Sequence, residues 1–87
     1  MTDAPTSVFL YTLSTCPWCR KAKAFFTDHQ VDYDYIDYDL AGDDEQERIQ
    51  EEMSQHNAAA FPYAKIGGEV VVGFDPQRYR DLLGLEA

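Results

Sequence analysis

The chain has 87 residues, 45% hydrophobic and 14% aromatic, and its sixteen acidic and seven basic side chains leave a formal charge of -9. That is material for one modest core rather than a disordered segment, and the acidic excess excludes a chain built to grip nucleic-acid phosphates. Two cysteines are too few for the disulfide framework of a small secreted domain, and no apolar run approaches the ~20 residues of a membrane span.

The opening stretch "MTDAPTSVFLYTL" lacks the basic n-region and long apolar h-region of a signal peptide. The expectation is a single cytoplasmic domain over residues 1–87, monomeric, with no membrane partner and with 1–6 as a loose tail. "SVFLYTL" (7–13) is a nearly continuous apolar run rich in β-formers, the pattern of a central strand buried on both faces. Pro17 suits the first turn of a helix, where its missing N–H costs nothing. Cys19, Ala22, Phe25, Phe26 and His29 then follow the i, i+3, i+4 spacing of one helical face. "YDYIDYD" (33–39) alternates as a second strand. "DDEQERIQEEMSQHN" (43–57) reads as a polar helix with acids in its first turn and only Ile49 and Met53 as an apolar stripe.

"FPYAKI" and "EVVVG", separated by Gly67-Gly68, form a hairpin signal. The last helix takes Asp75 as N-cap and Pro76 at N1, turns Tyr79, Leu82 and Leu83 inward, and stops at Gly84. The order β-α-β-α-β-β-α, with a right-handed crossover between the first two strands, predicts an α/β fold. It is a four-stranded mixed sheet flanked by three helices.

The chemistry rests on "LSTCPWCRKAKAFF" (13–26), which holds both cysteines three apart where the strand gives way to the first helix. Cys16 falls about where the helix N-cap belongs; free backbone N–H groups and the positive helix end there favour a thiolate. Cys19 lies one turn later on the inward face. The result is two unequal thiols, one exposed and nucleophilic, one shielded and resolving, as thiol–disulfide exchange requires. Arg20, Lys21 and Lys23 follow directly, either as a local positive patch or as an ordinary solvated helix face.

Three other readings stand beside exchange chemistry. Zinc needs two more ligands, and His29 and His56 fit neither a zinc-finger spacing nor a second C-x-x-C. A structural disulfide across one turn closes too short a loop to add much stability. Two inert buried cysteines would behave as small hydrophobes. The histidines suit helix C-termini, where a partly charged imidazole complements the dipole; Met53 suits the core, and Tyr33, Tyr35 and Tyr38 suit sheet faces.

"YTLSTCPWCRKAKAFF", "FPYAKIGG" and "VGFDP", in this order and spacing, resemble a dithiol glutaredoxin of the thioredoxin fold over about residues 7–85. The resemblance implies that Cys16 is the nucleophile and Cys19 its resolving partner. It implies a substrate site built from Thr15, Pro17, Trp18, Phe61, Pro62, Gly73, Phe74 and Asp75. Pro62 would be cis and close to Cys16, although an X-Pro bond is generally trans. The Phe61 backbone would pair with a bound thiol peptide, and Asp75 would meet a ligand amino group. No tightly bound cofactor is implied; glutathione or another thiol is the co-substrate.

The departures bear on that reductant. Leu13 stands where glutathione-using members often carry a basic residue, Trp18 replaces the commoner tyrosine, and Ala60-Phe61-Pro62 replaces Thr-Val-Pro. "GFDP" also partly resembles the Gly-Phe-Arg-Pro of glutaredoxin-like electron donors to ribonucleotide reductase. Disulfide-containing proteins are therefore the expected partners, with glutathione or a thioredoxin-reductase-type flavoenzyme as electron source. A thioredoxin-fold carrier of an iron–sulfur cluster is the reading from a different class.

Overall fold

The run of apolar residues at the start of the sequence becomes β1 (Val8–Thr12), an inner strand of the sheet. The computed structural model describes residues 7–85; the expected tail at 1–6 lies outside the described residues. After β1 come α1 (Pro17–Asp28), β2 (Asp34–Asp37), a 3-10 turn (Tyr38–Leu40), α2 (Asp43–Gln55), β3 (Tyr63–Ile66), β4 (Glu69–Val72) and α3 (Pro76–Leu83). The strands lie in the order β2-β1-β3-β4, with β1 parallel to β2 and the β1–β3 and β3–β4 pairs antiparallel. This is the expected four-stranded mixed sheet with three helices.

Strand alternation divides the core into two layers. Val8 and Leu10 pack with Ala22, Phe25 and Phe26 of α1 and Tyr79 of α3. Their neighbours Phe9 and Tyr11 pack on the other side with Ile49 and Met53 of α2 and with Tyr63. Ile49 and Met53 are the buried residues of α2, as its thin apolar stripe predicts. The Gly67-Gly68 turn has φ of 57° and 97°, the positive values that a type I′ hairpin turn demands at both central residues.

Two expectations shift. The second strand, expected over 33–39, pairs with β1 only as far as Asp37 opposite Thr12. Beyond it the Tyr38 carbonyl accepts the Gln46 side-chain amide at 2.8 Å and the Ala41 N–H at 3.2 Å, which tightens the chain into the 3-10 turn and takes Tyr38 off the sheet. His29, expected on the buried face of α1, is exposed at the C-cap, its Nδ1 2.8 Å from the Phe25 carbonyl oxygen. The Phe25 carbonyl also accepts the His29 backbone N–H at 3.1 Å, so His29 closes the helix end, where its reading as a C-terminal imidazole placed it.

Candidate active site

Sheet register brings distant segments to one end of the molecule. Asp37 sits beside Thr12 in the parallel pair, Tyr63 faces Tyr11, and Val72 faces Tyr63. The segments that follow β1, β2 and β4, and the one that precedes β3, therefore all leave the same edge. They carry Cys16, the 3-10 turn, Phe61-Pro62 and Gly73-Phe74-Asp75.

Cys16 is the N-cap of α1, with extended backbone (φ -86°, ψ 117°), and its sulfur accepts the Cys19 N–H at 3.3 Å. A polar, acceptor side chain is what an N-cap needs, and here a sulfur supplies it. Pro17 occupies the first helical turn, and Thr15, Pro17 and Trp18 are exposed. Cys16 is partly buried, whereas Cys19 has 0% exposure; both are free thiols. The Leu13 N–H points at the Cys19 sulfur from 3.5 Å. Burial pushes the Cys19 thiol up to about 12, and its hydrogen bond to the Cys16 sulfur adds to the effect. The two sulfurs are unequal in burial: Cys19 is enclosed as expected, while Cys16, expected to be exposed, is half-buried beside it.

The remaining expected site residues lie on α1's first turn and on the segments that leave the same end of the sheet. Trp18, 54% exposed, lies 6.1 Å from the Phe74 ring, so the start of α1 meets the β4–α3 loop. Phe74 in turn packs on Tyr79 at 6.0 Å. Gly73 has φ of 87° and open space where a Cβ would go, so its backbone conformation rather than crowding selects glycine. Its N–H donates to the Pro62 carbonyl at 2.7 Å, and its carbonyl accepts the Tyr79 hydroxyl at 2.9 Å. The Phe61–Pro62 bond is cis, as the resemblance implies. Pro62 is buried and Phe61 partly so. Asp75 caps α3 by accepting the Arg78 N–H at 3.1 Å, with its side chain at the surface.

The basic cluster is partly neutralised. Lys23 pairs with Asp37 at 3.2 Å and lies 3.8 Å above the Tyr35 ring; Lys21 lies 4.5 Å above Trp18. Asp37 also accepts the buried Thr12 hydroxyl at 2.5 Å.

Sequence reasoning missed a clasp on the cysteine loop. Asp39, in the 3-10 turn, accepts both the Ser14 N–H at 2.8 Å and the Ser14 hydroxyl at 2.5 Å. The hydroxyl and then the N–H of Ser14 hold the Asp39 carboxyl below the usual carboxylate range. Twenty-five residues separate the partners, so no local pattern could have announced the contact. It also missed a polar cluster on the α2 side: Glu52 accepts from Tyr11 at 2.8 Å and Tyr63 at 3.2 Å, and Lys65 reaches both Glu52 and Tyr11. No group of three or more potential metal ligands gathers among the described residues, and no helix there is long and apolar enough to cross a membrane.

A family model described as glutaredoxin matches residues 8–71. A glutaredoxin-like 8.6 kDa protein of the rubredoxin operon of Clostridium pasteurianum is 35% identical over 66 residues, 76% of this chain and 83% of that one. Methanoredoxin of Methanosarcina acetivorans superposes with a TM-score of 0.84 at 32% identity, covering 93% of this chain and 87% of the other. The glutaredoxin of Methanosarcina mazei Go1 gives 0.82 at 38%, covering 91% and 79%. Thioredoxin-like architecture, a close cysteine pair at the head of the first helix and these relatives together make the chain a member of the glutaredoxin family, with the thiol-oxidoreductase fold that the family carries.

Proposed function

We propose that this chain is a thiol–disulfide oxidoreductase that reduces protein or low-molecular-weight disulfides through its Cys16-Pro17-Trp18-Cys19 dithiol. The observation that carries the reading is the inequality of the two sulfurs. Cys16 is reachable and receives a backbone N–H, while Cys19 is buried and its thiol is held protonated.

In the first step the Cys16 thiolate attacks one sulfur of the substrate disulfide. That S–S bond breaks, a Cys16–substrate disulfide forms, and the other half leaves as a thiolate that takes up a proton. In the second step the Cys19 sulfur attacks Cys16 Sγ. The Cys19 proton passes to the departing substrate thiolate, and the protein is left with a Cys16–Cys19 disulfide. The protonated form of Cys19 protects the mixed disulfide only until a leaving thiolate is at hand to accept its proton. Two molecules of a thiol such as glutathione, leaving joined as its disulfide, or a thioredoxin-reductase-type flavoenzyme supply the two electrons and two protons that restore the dithiol.

Thr15, Pro17, Trp18, Phe61, Pro62, Gly73, Phe74 and Asp75 form the substrate surface in this reading, supported by their convergence at one sheet edge. The Phe61 N–H and carbonyl make no backbone pair among the described residues, leaving them to a substrate strand.

Cys16→Ser should abolish reduction of a small disulfide, and Cys19→Ser should accumulate the mixed disulfide, visible by mass spectrometry; full turnover in Cys16→Ser overturns the mechanism. At neutral pH iodoacetamide should label Cys16 and spare Cys19 in the folded protein. Coupled NADPH consumption with glutathione and its reductase, set against a thioredoxin reductase, identifies the electron source.

A further inference from the structure

A groove of about 450 Å³ opens between α2 and the loop that leads into β3, lined by Tyr38, Gln50, Met53, Asn57, Ala58 and Phe61 among others. None of its lining residues is charged. We propose that it is a side-chain pocket of the substrate site, taking an apolar or aromatic side chain from an extended protein segment next to the target cysteine. The inference rests on the oxidoreductase reading above and gives it a substrate class.

Position is the first reason. Phe61 lines the groove and also carries the unpaired backbone groups just before Pro62. A strand that pairs there sends alternate side chains to opposite faces. One face holds the groove, whose Met53, Tyr38 and Phe61 belong to the α2-side core. The other holds Trp18 and Phe74, the latter packed on the α1–α3 core.

Charge is the second reason. A carboxylate entering the groove meets no cation in its lining, and the nearest helix surface presents Glu47 and Glu51 to solvent. The basic residues Lys23, Arg48 and Lys65 pair with Asp37, Glu45 and Glu52. Within the wall the Gln50 amide donates to the Tyr38 hydroxyl, while the polar side chains of Ser54 and Asn57 lie at exposed positions in reach of water. Such a wall offers an occupant no charge to pair with and gains from the covering of Met53, Ala58 and the two rings.

The test uses single turnovers of the reduced protein with symmetrical peptide disulfides. Phe, Leu, Gly or Glu is placed at each of the two positions on either side of the cysteine, and bis(2-hydroxyethyl) disulfide serves as a small reference. At one of those positions Phe and Leu should react about tenfold faster than Glu. Ser54→Trp and Ala59→Trp, at two exposed positions that also line the groove, should each bring the Phe-to-Glu ratio toward one. That ratio is internal to each protein, so a partly inactive preparation does not change it. Equal rates along the wild-type series, or a preference that survives in both filled variants, overturns the pocket. A protein that reduces the reference disulfide but ranks no peptide above another keeps the proposed function and loses this inference; one that reduces neither loses both.

Discussion

The two faces of the sheet are held by different physics. On the α1–α3 face, Phe25, Phe26 and Tyr79 interlock edge to face and tilted, with centroids 5.0–5.5 Å apart, over Leu10, Ile66 and Val71. On the α2 face the helix contributes two buried apolar side chains, to which it adds polar contacts: Glu52 bound to Tyr11, Tyr63 and Lys65, and Gln46 bound to the Tyr38 carbonyl. The helix that carries the dithiol is thus seated by buried apolar area, the stronger of the two forces. The helix that walls the proposed groove is seated by a smaller apolar contact, Ile49 and Met53, supplemented by a partly exposed polar cluster that is weaker and depends on pH. A redox protein of this size needs its sulfurs fixed, whereas the wall of a pocket can give.

The contrast can be broken from its strong side first. Phe26→Ala, at a fully buried position, should cost about 3–5 kcal/mol by lost transfer energy and the cavity left behind. Denaturant unfolding would read it as a midpoint shift with little change in slope. Met53→Ala, on the other face and 6% exposed, should cost about 2 kcal/mol, the low end for such truncations, because α2 can settle inward. A cost for Met53→Ala equal to that of Phe26→Ala would mean the two faces do not differ as described.

Glu52→Gln should have the smallest effect, about 1 kcal/mol at neutral pH, since both Glu52 and Lys65 keep some contact with water. Burial opposes ionisation of Glu52, but hydrogen bonds from Tyr11, Lys65 and Tyr63, with the Lys65 charge, win and hold its carboxyl below the ordinary value. A depressed carboxyl stabilises the fold above its unfolded pKa, about 4.3. The contribution is lost as pH falls through the folded value, so the wild type should lose more stability in acid than Glu52→Gln does. At the alkaline end the sign reverses. Burial and the neighbouring Glu52 charge push the Tyr63 hydroxyl up to about 12. Burial opposes Lys65, but its bonds to Tyr11 and Glu52 raise it. The Tyr63 contribution is complete below about pH 10 and fades as pH rises toward 12, and that of Lys65 likewise fades only above the ordinary lysine range. Identical acid limbs for wild type and Glu52→Gln would show that the cluster does not hold α2.

Much of this was legible in the residues. Pro17 and Pro76 mark their helix starts, Asp75 caps as its position suggests, Gly67-Gly68 turns the hairpin, and a three-residue spacing puts one sulfur at a helix head and the other inside it. Those signals are local: each is a backbone preference or a helical period acting over a few residues. The early end of β2 was not legible, because it depends on Gln46 capturing the Tyr38 carbonyl from another helix. Of the two readings of His29, the helix C-terminus held and the buried face did not: at the last turn its ring lies against the Phe25 carbonyl and stays at the surface.

The order of strands and helices, the sidedness of α1 and the inequality of the two cysteines were determined by the sequence alone, since periodicity and chain stereochemistry act within each segment. Which loops meet was decided only by the folded sheet. Its register carries the Asp39 carboxylate to Ser14, Phe74 to Trp18 and Phe61 to the wall of α2. Contacts between residues tens of positions apart are set by how strands align and how side chains then pack, and no short stretch of sequence records that.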